Sequence, residues 1–304
     1  MSLLILSPAK INLFLQVAGR RPDGYHNLFS LMCRVSLCDE IRLSPSAGPI
    51  TLWCSDPSLP VDETNLAFRA ARSLLAAVGR SEGCDIRLVK RIPIAAGLGG
   101  GSSNAASVLL GLNHLLGEPL PQQELMRIGS RLGADVPFFI FQSPALASGI
   151  GDELEAFPGL PPWHVLIVCP PFHVSTRMVY QNLKLQLTNQ QKQPTRAHLN
   201  KKVFNPSFRL HNDLETVTLA LYPELVRIKD LLKSQGAIGA LMSGSGPSIF
   251  GLFTEADALR RAKAALEREK EFRVFSADLL TGPVSLIRPS ETAAGREGNA
   301  PGRA

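Results

Sequence analysis

The chain lacks what several large protein classes require. It has only five cysteines in 304 residues (Cys33, Cys38, Cys54, Cys84 and Cys169), an odd number with no CxxC pair, so neither a disulfide framework nor a zinc site is expected. Free thiols in a reducing cytoplasm are the expectation. It has no apolar run long enough to span a bilayer: the first seven residues are apolar, but Pro8, Ala9 and Lys10 interrupt them, and no basic leader precedes them. That segment reads as a strand. Basic residues outnumber acidic ones, 32 to 26, giving a formal charge of +6. They are scattered, with short clusters such as Arg20 and Arg21 or Lys90 and Arg91 and no aromatic interleaving, so an extended nucleic-acid track is not expected. A small polyanion suits this charge better. Apolar residues at 45% and charged residues at 19% are ordinary for a globular protein and argue against disorder in the body of the chain.

What is present reads as an α+β enzyme. Ile11, Leu13, Leu15 and Val17 alternate with Asn12, Phe14, Gln16 and Ala18, the period of a half-buried strand with Lys10 at its beginning. Turn chemistry follows at Arg20 to Gly24, and residues 28–36 and 40–43 read as two returning strands. Residues 65–77 carry a helical stripe, and 84–89 a strand. Helices are expected over 122–132, 213–221, 223–234 and 255–269, and strands over 163–169, 238–242 and 248–253. Residues 188–202, rich in Gln, Asn and Lys, read as an exposed loop. The composition divides the chain into residues 1–157, residues 158–288 and a disordered tail at 289–304.

The most informative segment is Pro93, Ile94, Ala95, Ala96, Gly97, Leu98, Gly99, Gly100, Gly101, Ser102 and Ser103, which opens directly into a helix carrying Ala105, Val108, Leu109, Leu112 and Leu116 at helical spacing. Amides at a helix start have no intrahelical acceptor and sit at the positive end of the helix dipole, so phosphate oxygens can accept several hydrogen bonds there. Glycine permits close approach and positive φ. The serine hydroxyls add donors, and Ser103 is the candidate magnesium ligand. There is no lysine before the serines, as the Walker loop requires, and the glycine offsets do not fit the dinucleotide fingerprint. A cation must come from elsewhere.

Taken together these segments resemble the GHMP kinases, a family of small-molecule kinases. The resemblance rests on the glycine-serine loop, on Ser7, Pro8, Ala9, Lys10, Ile11, Asn12 and Leu13 near the start, and on Ser243, Gly244, Ser245, Gly246, Pro247 and Ser248. Three stretches, Pro8 to Leu13, the turn Arg21 to His26, and the expanded loop Gly97 to Asn104 followed by Gly133, Ala134, Asp135, Val136 and Pro137, point within the family to an acceptor that is a cytidine diphosphate-linked sugar alcohol. The resemblance covers about residues 1–280. It implies a two-domain α+β architecture: an N-terminal ribosomal-protein-S5-like nucleotide-binding domain, a C-terminal antiparallel sheet with helices, and the active site between them. It implies ATP and Mg2+, a cytoplasmic location, no membrane or nucleic-acid partner, and a monomer or weak homodimer.

Residue by residue, the resemblance makes Asp135 the group that accepts or orients the acceptor's hydroxyl proton and puts Lys10 beside it. A lysine at about 4 Å would favour the ionised acid by about 4 kcal/mol at an effective dielectric near 20, which weakens it as a base. Phosphoryl transfer tolerates this because its transition state is loose. Asp135 beside Pro137 could instead be a structural helix cap. Asn12, two residues beyond Lys10, would share its strand face and meet the sugar alcohol. Tyr25, His26, Thr176 and Tyr180 match substrate positions, the aromatic rings receiving the cytosine, and Asn65 matches the adenine site, although Asn is also an ordinary N-cap. The alternatives are a GHMP kinase acting on homoserine or mevalonate, a non-catalytic nucleotide sensor on the same fold, and a basic RNA-binding protein.

Overall fold

The computed structural model describes residues 2–22, 24, 26–183, 210–282 and 287–289. Tyr25, the loop expected at 188–202 and the tail beyond Pro289 lie outside them. The architecture is α+β. Its spine is one long hairpin, β1 (Leu3–Arg20) against β2 (His26–Ser46), in which the apolar alternation of β1 buries Ile11, Leu13, Leu15 and Val17. Two expectations are corrected here. Lys10 lies in the middle of β1, not at its beginning, and the two returning strands are one. The register shifts between Pro8 and Ala9, where the pairing passes from Cys38 to Val35, so a bulge on β2 takes up Ser36 and Leu37 at the gap between the two expected strands.

Along its second edge β2 pairs in turn with β5 (Ala145–Ser148), β11 (Arg273–Leu280) and β4 (Gly83–Val89). On the N-terminal side β3 (Thr51–Cys54) runs parallel to β4, and β6 (Glu153–Ala156) pairs β5. On the C-terminal side the antiparallel order is β11, β7 (His164–Cys169), β10 (Ile249–Phe253) and β9 (Gly239–Met242). β8 (His211–Asn212) and β12 (Ile287–Pro289) pair with β1, so the chain returns at its end to its first strand.

Against the N-terminal sheet lie α1 (Leu66–Ala77), α2 (Gly100–Leu115), α3 (Gln122–Leu132) and the one-and-a-half-turn α4 (Val136–Phe141), around a core that includes Ile5, Leu43, Leu74, Leu109 and Phe138. Against the C-terminal sheet lie α5 (Thr176–Asn182), α6 (Glu215–Leu221), α7 (Glu224–Ser234) and α8 (Ala256–Leu266), around Val168, Ile228, Ile249 and Ala262. A third apolar cluster joins the halves: Ile11 of β1, Ile167 of β7 and Phe250 of β10 pack with Ile92, Ala96 and Leu98 from the glycine loop. The loop is therefore plugged into a core by its apolar residues, and Gly101 is its exposed glycine. All five cysteines are free, and burial pushes Cys33 and Cys84 up to about 12 and Cys38 and Cys169 up to about 11, which leaves these four as inert thiols at neutral pH.

The two halves also touch where residues 96–97 meet residues 243–248. Ser243 Oγ donates to the Gly97 carbonyl at 2.9 Å and the Ser248 amide to the Ala96 carbonyl at 3.3 Å. A Cβ on Gly97 would stand 2.1 Å from the Ser243 carbonyl oxygen, and Gly97 has φ +76°. Gly97→Ala is therefore expected to cost on the order of 3 kcal/mol from left-handed strain plus overpacking. Denaturant titration of the purified variant checks this; a midpoint equal to that of the wild type would show that the two loops can part without cost.

Candidate active site

The site grows from the middle of β1. The Lys10 amide donates to the Leu98 carbonyl at 2.9 Å, which ties the strand to the glycine loop. Its side chain is buried, 5% exposed, and its ammonium donates to Asn12 Oδ1 at 2.7 Å and lies 3.4 Å from Asp135 Oδ2. Asn12 in turn donates to Ser30 Oγ at 2.8 Å, and Ser30 to the Phe14 carbonyl at 2.7 Å. Lys10 and Asn12 thus share one strand face, and a chain of hydrogen bonds running into β2 fixes the asparagine's orientation.

Asp135 occupies the N-cap position of α4, yet its side chain makes no capping bond. Its carboxylate faces Lys10 instead, with the side chain 36% exposed. The opposite end of α4 is held by Arg34, buried beneath β2, whose guanidinium donates to the Gln142 carbonyl. Arg34 stands directly across the hairpin from Lys10, so the strand pair carrying the lysine also fixes the helix carrying the acid.

The glycine loop has the geometry a phosphate requires. Gly99, with φ +70°, is the N-cap of α2, and a Cβ there would stand 3.0 Å from both the Lys10 and the Phe139 side chains. The first amide engaged in the helix ladder is that of Ser103, which donates to the Gly99 carbonyl at 2.9 Å. The amides of Gly100, Gly101 and Ser102 precede it as the helix's open donors. Ala95 also takes positive φ, +52°. Pro93, Ile94 and Ala96 line a smaller cavity of about 350 Å³ behind the loop, shared with Lys90, Arg91 and Arg273.

Ser103 departs from expectation. It is fully buried, and its hydroxyl shares a hydrogen bond of 2.8 Å with Ser7 Oγ, so it is turned into the core and its hydroxyl is already engaged. The cause is helical phase: one residue beyond Ser102 swings the side chain by about 100°. Ser102 is the partly exposed serine of this turn. Asn65 is the N-cap of α1: its Oδ1 accepts from the Ala67 amide at 2.9 Å and its Nδ2 donates to the Pro60 carbonyl at 2.8 Å, so both ends of its amide are engaged in holding the helix start.

A buried network missed from the sequence anchors the loop. Asp39, with 0% exposure, accepts from the amides of Arg91 at 2.7 Å and Ile92 at 2.8 Å, from Asn104 Nδ2 at 2.9 Å, and from the Lys90 ammonium. Asn104 also donates to Ser7 Oγ at 3.0 Å. The acid of a Cys-Asp-Glu run inside a strand carries no local signal of this role; only the return of β4 alongside β2 brings the amides to it.

Lys10, Asn12, Gly97, Gly99, Asp135, His26, Thr176 and Tyr180 all line one cavity of about 790 Å³. At its far end the His26 and Tyr180 rings stack with centroids 5.1 Å apart and planes at 26°. His26 therefore presents a ring face to Tyr180. Thr176 Oγ1 and Ser245 Oγ share a hydrogen bond of 2.8 Å that joins α5 to the second glycine loop. Ser245, Arg20 and Arg177 also line this cavity and were not among the expected substrate residues. Burial first, and then the charge of Asp135, raise the Tyr180 phenol, so it remains protonated as a donor.

This arrangement defines a class: an anion-binding helix start, a lysine–carboxylate pair beside it, and an adjoining cavity for an acceptor. Family models for the GHMP kinases N-terminal domain and the GHMP kinases C-terminal region match residues 65–143 and 199–271, and the chain belongs to the GHMP kinase family. It is 47% identical over 266 residues to the 4-diphosphocytidyl-2-C-methyl-D-erythritol kinase of Pelobacter propionicus, covering 87% of this chain and 94% of that one. Over 277 residues it is 48% identical to the enzyme of the same name from Syntrophus aciditrophicus, covering 90% and 98%. A crystal structure of 4-(cytidine 5'-diphospho)-2C-methyl-D-erythritol kinase superposes with a TM-score of 0.75 at 36% identity, covering 92% of this chain and all (100%) of that one. A homoserine kinase from Cytophaga hutchinsonii superposes with a TM-score of 0.74 at 21% identity, which speaks to the fold alone.

Burial first, and then the charge of Arg20, lower the His26 pKa below its ordinary value. The folded protein thus disfavours the imidazolium, and stability is full above the ordinary histidine value of about 6.5 and declines as the pH falls through it. Thermal unfolding between about pH 7.5 and 5 should show a Tm decrease that is smaller in His26→Gln; identical slopes would show that this ring does not contribute.

Proposed function

We propose that the chain transfers the γ-phosphoryl group of ATP to the 2-hydroxyl of 4-diphosphocytidyl-2-C-methyl-D-erythritol, giving the 2-phosphate and ADP, a step of the non-mevalonate isoprenoid precursor pathway. The observation that carries this reading is the Lys10–Asp135 contact of 3.4 Å lying between the glycine loop and a cavity whose far end is the His26–Tyr180 stack. The names of the relatives supply the acceptor.

In this reading the open amides from Gly100 to Ser102 hold the nucleotide phosphates. Asp135 accepts the acceptor's hydroxyl proton, and Lys10, kept in place by Asn12, sets its positive charge against the oxygens of the transferring phosphoryl group. The Lys10–Asp135 contact orients the acid, which suits a loose transition state in which orientation matters more than nucleophilic push. His26 and Tyr180 receive the base, and Asn12 meets the sugar alcohol. Mg2+ would come with ATP and supply charge neutralisation at its phosphates. Ser102, the partly exposed hydroxyl of the loop, would be available to it beside the phosphate and water oxygens that magnesium usually keeps.

The aromatic stack weighs against homoserine or mevalonate as acceptor, since neither has a base to stack. The preserved lysine–acid geometry weighs against a non-catalytic sensor. A coupled ADP-release assay comparing the cytidyl substrate with homoserine and mevalonate decides; equal or faster turnover of either rival would reject the assignment. Asp135→Asn should lower kcat by about 10²- to 10⁴-fold while ATP affinity stays near wild type. Lys10→Ala should lower kcat by at least about 10²-fold. Near-normal turnover in either variant would remove that residue from the mechanism.

A further inference from the structure

The cavity carries more positive charge than the phosphoryl-transfer chemistry uses. Among the described residues its lining includes three permanent cations, Lys10, Arg20 and Arg177, and a single carboxylate, Asp135, which already faces Lys10 at 3.4 Å. Arg20 and Arg177 are exposed, and neither forms an ion pair with another described residue. Two guanidinium groups therefore bring a double positive charge to a cavity that holds no matching pair of acids among its described lining residues.

Their placement is specific. Arg20 pairs directly across the β1–β2 hairpin with His26, one ring of the aromatic stack, and its charge is felt by that imidazole. Arg177 lies three residues before Tyr180, the other ring, on the same helix, a spacing that puts both on one face. Each ring of the stack thus has an arginine beside it. The glycine loop, where the nucleotide phosphates of the donor belong, lies instead beside Lys10.

We propose that Arg20 and Arg177 together form the anchor for the diphosphate bridge of the acceptor, holding it between the base at the His26–Tyr180 end and the alcohol at the Lys10–Asp135 end. This rests on the acceptor proposed above and assigns which residues select its charge. A guanidinium offers a planar fork matched to phosphate oxygens, and a charge-assisted bond of this kind is roughly twice as strong as a neutral one. The pair makes the site discriminate a nucleoside diphosphate from the bare nucleoside, and discriminates against acceptors without a dianionic bridge.

The test is calorimetric titration of the full chain, its glycine loop saturated with AMP-PNP, using cytidine and CDP as probes. In the wild type CDP should bind about 10- to 100-fold tighter than cytidine, with the difference shrinking at high salt. In the Arg20→Gln/Arg177→Gln double variant the advantage of CDP should largely vanish while cytidine affinity stays within about twofold of the wild type. The KM for the cytidyl acceptor should rise about tenfold or more with kcat little changed, and Arg177→Lys should recover part of the loss because it retains the charge. A wild type that binds both probes, together with a double variant that keeps the full CDP advantage, would overturn the anchor and leave the proposed function standing. A wild type that binds neither probe and does not turn over the cytidyl acceptor would overturn both.

Discussion

The position of the glycine ribbon depends on one buried carboxylate. Asp39 reaches from β2 to two successive amides at the start of the loop, to Asn104 on the second turn of α2 and to the Lys90 ammonium, so both ends of the ribbon are fastened to the same side chain. A buried acid with its hydrogen-bonding capacity filled in this way is tolerable only as a complete set, since leaving one member of a buried ion pair alone costs about 3–5 kcal/mol. That interdependence fixes the loop's height above the sheet. It lets the loop expose backbone donors without being floppy, while Ala96 and Leu98 hold its underside in the core.

From that fixed ribbon the rest of the site follows by strand geometry. Leu98 binds the backbone of Lys10, Gly99 leaves room for the Lys10 side chain, and the lysine reaches Asp135. The acid is aimed by a short helix whose start is freed from capping duty and whose end is held by Arg34. The second glycine loop then presses its backbone against Gly97, which brings Ser245 and Thr176 to the cavity wall. Preorganisation of this kind suits phosphoryl transfer, where positioning and charge outweigh covalent chemistry.

Much of this was legible in the chain. The α1, α2 and α3 helices, the buried β7 and the two glycine loops follow from periodicity and glycine spacing, and the family resemblance named Lys10, Asn12, Asp135, His26 and Tyr180, all of which line one cavity. Less legible were the features that arise where segments meet. The bulge at Ser36 and Leu37 hid the continuity of β2, because the two residues it takes up have no paired partner on β1 and interrupt the strand between its two regular stretches. The short strands β3, β5 and β6 and the six-residue α4 are too brief to show a period. Ser102 and Ser103 are adjacent and chemically identical, and only helical phase separates the partly exposed hydroxyl from the buried one.

The sequence by itself determined the chemistry on offer: open amides at a helix start, one lysine and one aspartate in separated motifs, and aromatic side chains after a turn. These are properties of residue type and local spacing, which survive without knowledge of the fold. Tertiary structure alone decided which of them meet. Lys10 and Asp135 are separated by most of the N-terminal half of the chain, Arg20 is set across from His26 by hairpin register, and Arg177 reaches the same cavity from a helix of the C-terminal half. Such contacts depend on strand pairing and helix phase over long sequence separations, and no local pattern encodes a distance of 3.4 Å between residues so far apart in the chain.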